Sequence, residues 1–565
     1  MSQVVGQETP DTGAREAGEF DVVVIGAGFA GLYSLYKLRE LGYSVRVLEQ
    51  GPSVGGTWYW NSYPGARCDV ESLEYSFSFS SELEQEWEWT EKYPRQPEIL
   101  KYLNHVTDRF DLRKDIDFET RVTSVVYDED ANRWQINTED GRRYTSHYLI
   151  TAVGCLSSRK DPYAEFAGLD RFKGEWYRTS AWPEEADFTG KRVGVIGTGS
   201  TGVQVIPKAA ESAEHVTVFQ RTANFSVPAQ NGPLDPEFQR TLKARYREHR
   251  QAAKESAFGV PVPLSDKSAL ELTPDEVRED LERRWQGGGA APFMTAYTDV
   301  LTDSEANERV ADFVRDKIRS IVEDPQVAEE LVPTGYPIGT KRLCVDTDYF
   351  ETYNRDNVTL VNVRKAPIAE ISETGIRLED GREFELDMIV FAIGFDAMTG
   401  ALFDIDPRGR HGLSLKEKWA AGPRTYLGVS TADFPNLFMI TGPGSPSVLS
   451  NMVVSIEQHV DWIADLLTYM RERGLDYVEP TAEAEDKWGE HVHEVGHATL
   501  FPECPNSWYV GANVPGKPRV FTPYVGGVGP YRQTCDEVAA NGYEGFAMSK
   551  SPHTPEAKPV SAAWG

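Results

Sequence analysis

Short apolar runs that stop on a glycine recur along this chain and set its architecture. Asp21-Val22-Val23-Val24-Ile25 leads into Gly26-Ala27-Gly28-Phe29-Ala30-Gly31, and Val193-Gly194-Val195-Ile196 leads into Gly197-Thr198-Gly199-Ser200-Thr201-Gly202. Unbroken runs of this length predict strands buried on both faces, as in parallel sheets. A helical stretch follows each glycine turn, and then a second strand: Ser44-Val45-Arg46-Val47-Leu48 in one case, Val216-Thr217-Val218-Phe219-Gln220 in the other. Two more strands end on glycine, Tyr148-Leu149-Ile150-Thr151-Ala152-Val153-Gly154 and Met388-Ile389-Val390-Phe391-Ala392-Ile393-Gly394, and a shorter one is Val358-Thr359-Leu360-Val361. The strands ending at Gly154 and Gly394 read as crossovers between nested α/β units. From 235 to 332 the spacing turns helical with charged faces. There Asp235-Pro236 offers an N-cap with proline at the first helical position, and Thr273-Pro274-Asp275-Glu276 a capping box. A long helix is predicted over 449–469, before a Gly/Pro-rich stretch at 511–529.

A strand, a glycine turn and a helix N-terminus together cradle a pyrophosphate on backbone N–H groups and the helix dipole. One such turn is a weak signal. Two in the same context indicate two dinucleotides, with electrons passing between them. The ends of the second strands tell the sites apart. Glu49 closes the strand of the first unit, 23 residues beyond Gly26, where an acid accepts hydrogen bonds from ribose hydroxyls. Arg221 and Thr222 stand at the matching place in the second unit. A cation beside a hydroxyl suits a 2′-phosphate, which an acid would repel, so this site reads as NADPH; the bland alternative is a solvated strand-end arginine. The expected fold class is α/β, with two Rossmann-like dinucleotide-binding domains. The NADPH domain is inserted in a discontinuous FAD domain and carries a helical insertion. The expected division is a tail at 1–19, the FAD domain at 20–155, the NADPH domain with its linker at 156–234, the helical insertion at 235–332, the NADPH domain again at 333–385, the FAD domain again at 386–548, and a tail at 549–565.

Composition narrows the partners. With 58 Lys and Arg against 88 Asp and Glu, the net charge is −30, which disfavours nucleic acid and anionic membrane. No stretch approaches the ~20 apolar residues of a membrane span. The first 19 residues are polar and unlike a signal peptide, and both ends are expected to be disordered. Cys68, Cys155, Cys344, Cys504 and Cys535 never form a CxxC or CxxxxC pair. That suits a reducing cytoplasm and removes the flavin-disulfide reductases, which share the two-turn layout. His493-Glu494-Val495-Gly496-His497 satisfies HExxH, with His491 nearby. Gly496 weakens that helix and acids surround it, so a solvated face is expected there and no metal.

The most specific feature is Gly55-Gly56-Thr57-Trp58-Tyr59-Trp60-Asn61-Ser62-Tyr63-Pro64-Gly65-Ala66-Arg67-Cys68-Asp69. Here the chain resembles the type I Baeyer–Villiger monooxygenases, whose pattern GGxWxxxx(F/Y)PGxxxD it matches completely. The resemblance runs from about residue 21 to about 546 and is nearest to the phenylacetone and steroid monooxygenases of that family. It takes in Tyr336-Pro337-Ile338-Gly339-Thr340-Lys341-Arg342, Gly442-Pro443-Gly444-Ser445-Pro446 and Ser507-Trp508-Tyr509-Val510-Gly511-Ala512-Asn513-Val514-Pro515-Gly516-Lys517. It implies FAD and NADPH as cofactors and a ketone and O₂ as substrates. An ester or lactone would form through a peroxyflavin, in a cytoplasmic monomer that binds neither nucleic acid nor membrane.

The resemblance also implies roles. Arg342 would stabilise charge at the carbonyl oxygen, oriented by Asp69. Gly26, Gly28, Ala30, Gly31, Glu49, Thr57, Trp58, Tyr59, Trp60, Arg67, Cys68, Asp69, Tyr75 and Val122 would hold FAD. Gly197, Thr198, Gly199, Ser200, Thr201, Gly202, Val203, Gln204, Arg221, Thr222 and Lys341 would hold NADPH, with Trp508 and Arg342 on its nicotinamide side. Val448, Leu449 and Met452 would line the substrate pocket, Met452 also touching cofactor. One position departs. The family's linker pattern FxGxxxHxxxW(P/D) reads Phe172-Lys173-Gly174-Glu175-Trp176-Tyr177-Arg178-Thr179-Ser180-Ala181-Trp182-Pro183. Arg178 replaces a histidine tied to domain movement; it is always charged and donates only. Two alternatives stay open: a flavin monooxygenase acting on sulfur or nitrogen, and a degenerate NADPH-oxidising flavoprotein, for which Arg178 is the sole support.

Overall fold

Each glycine turn follows an inner strand of a sheet with parallel pairing around it. In the computed structural model, which describes residues 15–504 and 506–551, Arg15–Ile25 lies between Val45–Leu48 and Arg142–Thr151, parallel to both. Val22, Val23 and Val24 are wholly buried, as a strand covered on both faces requires. Beyond Arg142–Thr151 the sheet continues antiparallel through Arg133–Thr138 and Val122–Asp128. A late strand, Leu437–Met439, returns to pair with Arg142–Thr151. The second sheet is parallel throughout, in the order Val358–Asn362, His215–Gln220, Arg192–Ile196, Met388–Phe391, Glu175–Arg178. Among the described residues no helix is long and apolar enough to cross a membrane.

Four boundaries differ from the sequence expectation. Residues 15–19, expected in a tail, belong to the first strand and pair with Arg142–Thr145. Ladder hydrogen bonds come from the backbone, so polar side chains do not prevent pairing. Ser549, at the start of the other expected tail, pairs with Tyr477, and the Ser551 N–H donates to Asp476. The rest of both expected tails, 1–14 and 552–565, lies outside the described residues. Met388–Phe391, assigned to the first unit by the boundary at 386, sits inside the second sheet beside Arg192–Ile196. The crossover therefore comes after Phe391. The late helix is Met452–Glu472, preceded by a single 3-10 turn at Ser447–Leu449 and capped by the Asn451 side chain on the Val453 N–H.

The helical insertion divides between the two units. Tyr246 packs in the core of the first sheet and its phenol donates to the Leu73 carbonyl. Arg250 reaches Glu84 at 2.9 Å, so the helix Tyr246–Glu255 docks on the first unit. Pro274–Gly287 and Ser304–Ile321 pack with the second sheet through Val277, Leu281, Val310 and Val314. Helical spacing shows that a stripe is buried but not against which sheet.

Candidate active site

The helices that follow the two glycine turns begin without a cap or an acid at their N-termini, as does Val528–Ala540. Phe29–Glu40 and Ser200–Ser212 start after Gly28 and Gly199, with no side-chain cap and no acid in the first turn. By contrast, the helices that follow Thr273, Asp303 and Thr481 are capped by those side chains. The free first-turn N–H groups suit an anion. Gly26 and Gly197 hold φ of +103° and +108°, and a Cβ there would come within 2.6 and 2.5 Å of the Ala152 and Ala392 carbonyls. Gly31 and Gly202 let helix and turn close, since a Cβ would fall 1.8 and 2.2 Å from the Gly26 and Gly197 oxygens. The middle glycines are open: Gly199 meets nothing nearer than 3.9 Å, and Gly28 only the Gly56 backbone at 3.5 Å. Ala30 sits partly buried on the first turn. Each cradle fits a dinucleotide pyrophosphate.

Glu49 stands beside the first cradle. Its oxygens accept from the Ala27 and Gly51 N–H groups, both at 2.7 Å. Burial pushes its carboxyl up in pKa, those two donors working against it. The Thr120 N–H reaches the Glu49 carbonyl, which sets Val122 close by. Thr57–Trp60 forms one helical turn whose aromatics divide. Tyr59 and Trp60 pack on Gly51, and the Arg159 guanidinium lies 4.3 Å over the Trp60 ring. Trp58 turns into the core, its indole N–H donating to the Tyr75 phenol at 3.2 Å. Cys68 is buried, and that burial pushes its thiol up. Arg67 is engaged by protein: its Nη1 is 2.6 Å from Glu91 and 2.5 Å from the Tyr93 carbonyl.

The loop bearing this motif lies on the second unit's glycine helix. Gln204 Oε1 accepts from the Tyr63 phenol at 2.7 Å and from the Arg67 N–H at 3.3 Å, while its Nε2 donates to the Arg67 carbonyl at 3.0 Å. Thr201 is a second partner of Tyr63. Gly65 has φ +89°, and a Cβ on it would lie 2.3 Å from the Gln204 carbonyl oxygen. Gln204, expected on the coenzyme, thus holds the loop with its side chain. Val203 beside it is buried. Thr198 Oγ1 donates to the Thr222 carbonyl at 3.0 Å, and Ser200 Oγ lies 3.5 Å from Cys344 Sγ.

Asp69 and Arg342 meet as a fork. Nε and Nη2 of Arg342 lie 2.8 and 2.7 Å from the two Asp69 oxygens, and Nη1 donates to the Val448 carbonyl at 2.9 Å. Burial acts to lower the Arg342 pKa, but the Asp69 charge and hydrogen bonds outweigh it and the net shift is upward. A third of the Arg342 side chain, 33%, remains exposed. Leu449, Met452 and Trp508 gather beside Val448 with Met398, Phe501 and Tyr509. Tyr509, which sequence reasoning did not single out, sits next to Arg342; burial pushes its phenol up to about 12, against the pull of that cation. Its place in the run after Trp508 was the available signal.

The remaining predicted residues fall at the second unit's edge and linker. Lys341 holds its ammonium 4.5 Å over the Tyr336 ring, and burial keeps its pKa below the usual lysine value. Arg221 is exposed at the end of His215–Gln220. Arg178 ends the strand Glu175–Arg178, opposite Phe391, and its side chain makes no hydrogen bond or ion pair among the described residues. His493 and His497 stack on the exposed face of Ala482–His497, their rings 3.8 Å apart. No group of three possible metal ligands occurs among the described residues.

The family model for flavin-binding monooxygenase-like proteins matches residues 20–232. A Baeyer–Villiger monooxygenase of Pseudooceanicola batsensis is 45% identical, over 94% of this chain and 97% of its own. A phenazine N-monooxygenase of Lysobacter antibioticus is 42% identical over 94% and 98%. The solved structure of an oxidised steroid monooxygenase bound to NADP superposes with a TM-score of 0.90 at 52% identity, over 94% of this chain and all (100%) of that one.

Proposed function

The chain belongs to the Baeyer–Villiger monooxygenases, FAD- and NADPH-dependent enzymes, and on that premise we propose that Arg342, held by Asp69, is the cation that acts on an aryl-alkyl, cyclic or steroidal ketone. The observation that carries this reading is the two-pronged Asp69–Arg342 contact between the units. We further assign the first sheet and its helices to FAD, and the second to NADPH. Bound FAD, once reduced by NADPH, supplies the activation of O₂ that inserts one oxygen atom beside the carbonyl carbon. The balance is ketone, O₂, NADPH and a proton going to ester or lactone, NADP⁺ and water.

Arg342 has five N–H donors, and three are engaged by Asp69 and Val448. The Nη donors that Asp69 and Val448 leave over are shared between the Tyr509 phenol and the oxygen on which negative charge develops. Asp69 fixes the plane of the fork, so those donors are aimed before reaction rather than during it. A guanidinium keeps its proton at any working pH, so it offers charge and hydrogen bonds without protonating a neighbouring anion. Val448, Leu449 and Met452 give the ketone an apolar wall beside those donors. Five buried, unpaired cysteines suit a reducing cytoplasm.

The test is turnover by the FAD-loaded enzyme with a panel of aryl-alkyl, cyclic and steroidal ketones, an aryl sulfide and an aromatic N-heterocycle. NADPH consumption, hydrogen peroxide and oxygenated product are read together. Esters or lactones formed in step with NADPH support the reading. Only S-oxide or N-oxide, with no ester from any ketone, would replace it by heteroatom oxidation; peroxide alone would replace it by an uncoupled oxidase.

A further inference from the structure

Three cations gather at one corner of the second sheet, and the Glu330 carboxylate at that corner is taken by Asn362 and Lys365 rather than by any of them. Val358–Asn362 runs beside His215–Gln220 with Asn362 opposite Gln220, and the Val363 N–H donates to the Gln220 carbonyl at 2.9 Å. The chain then turns, Asn362 Oδ1 accepting the N–H groups of Arg364 and Lys365 at 3.0 and 3.3 Å. Arg364 therefore leaves the sheet at the same edge as Arg221. Lys341 reaches this edge through Tyr336, whose ring lies under its ammonium and whose phenol donates to the Ala223 carbonyl at 2.9 Å.

None of Arg221, Lys341 and Arg364 makes an ion pair among the described residues, in a chain with 88 acidic side chains. Lys365, the next residue, does pair, with Glu330. The charges of Arg221 and Arg364 both act to lower the Lys341 pKa, after the larger effect of burial. Like charges brought together without a counter-ion repel, and an anion of two negative charges with three terminal oxygens relieves that repulsion.

We propose that Arg364 is a third cation of the site for the coenzyme 2′-phosphate, and so a residue that selects NADPH over NADH. The proposal rests on the reading of Arg221 as the first such cation. Arg364 lies outside the glycine fingerprint and follows the third strand of the unit, which is why a motif-based reading passes over it. Its guanidinium can present two parallel N–H donors to phosphate oxygens, so its contribution is directional as well as electrostatic.

The experiment titrates FAD-loaded enzyme with NADP⁺, NAD⁺, adenosine 2′-monophosphate and adenosine 5′-monophosphate, for the parent and for Arg364→Gln, Arg364→Lys, Arg221→Gln and Lys365→Gln. Arg364→Gln should weaken NADP⁺ and adenosine 2′-monophosphate about five- to tenfold and change the other two less than about twofold, the scale of one partly screened ionic hydrogen bond. Arg364→Lys should recover most of that loss, Lys365→Gln should match the parent, and the salt dependence of NADP⁺ binding should be shallower in Arg364→Gln. If Arg364→Gln weakens all four ligands alike, or none, while Arg221→Gln selectively loses the 2′-phosphate ligands, the proposal is overturned and the reading of Arg221 stands. If Arg221→Gln also fails to discriminate, the 2′-phosphate reading falls and takes the proposal with it.

Discussion

Tyr63 and Gln204 join the two halves of the protein: the phenol O–H donates a hydrogen bond to the side-chain oxygen of Gln204 at 2.7 Å. Asp69 comes six residues after Tyr63 and grips Arg342 on the other side of the same boundary. One loop of the first unit is thus pinned twice to the second, once at its glycine helix and once at its proposed catalytic arginine. Of the motif's glycines, Gly65 serves this contact, its Cα facing the Gln204 backbone.

Gly65→Ala should cost about 2–3 kcal/mol, from the positive φ together with the clash on the Gln204 backbone. Tyr63→Phe should cost about 1 kcal/mol, the net worth of one hydrogen bond. Denaturant melts of the FAD-loaded enzyme measure both. Tyr63→Phe should leave NADP⁺ affinity unchanged, and a tenfold weaker coenzyme with unaltered stability would show that the Gln204 side chain serves the ligand instead.

Arg342→Ala should lower ester formation at least about 10²–10³-fold, the usual loss when a donor to developing negative charge is removed, with FAD content unchanged by absorbance. Asp69→Ala should lose less, because the cation survives and only its aim is relaxed. Arg342→Lys should not restore the rate, since a point charge cannot hold Asp69 and two further donors in one plane. Ester synthesis near the parent rate in Arg342→Ala would remove this residue from the chemistry.

Among the described residues Arg178 carries an unpaired charge on the linker strand, and Arg159, itself beside Trp60, feels it: burial first, then Arg178, holds the Arg159 pKa down. Replacing that fixed charge by histidine should shift the balance between unit arrangements by about 1–2 kcal/mol, a typical coupling energy. Arg178→His should therefore give more ester and less hydrogen peroxide per NADPH consumed. Identical coupling in the two proteins would mean that position 178 is indifferent.

His459 makes the fold sensitive to acid. Its Nδ1 accepts the Thr441 N–H at 2.9 Å, and its Nε2 faces the Tyr531 hydroxyl at 2.8 Å, so the buried ring is held neutral. Burial takes its pKa down to about 3, below the ordinary value of 6.5. A depressed pKa contributes stability above pH 6.5 that is lost as pH falls towards 3, because the unfolded chain takes the proton first. This residue should account for about 2 kcal/mol of lost stability between pH 7 and pH 5. Denaturation at those pH values should show a shallower dependence in His459→Gln, and equal slopes would contradict the assignment.

The sequence by itself determined the local chemistry. Four or five apolar residues and a glycine turn specify a buried strand and a cradle because sterics and backbone hydrogen bonding act within a few residues, as Gly26 and Gly197 illustrate. Glu49 and Arg221 were legible for the same reason: a strand-end residue after such a turn has one place to go. The tertiary structure decided whatever depends on which surfaces meet. It placed Met388–Phe391 in the second sheet and divided the insertion between two cores, since an apolar stripe records burial without naming its partner. It turned the Gln204 amide onto the motif loop. It also brought Asp69 to Arg342 across 273 residues of chain, a contact that no periodicity encodes because it exists only when two separately folded cores are packed together.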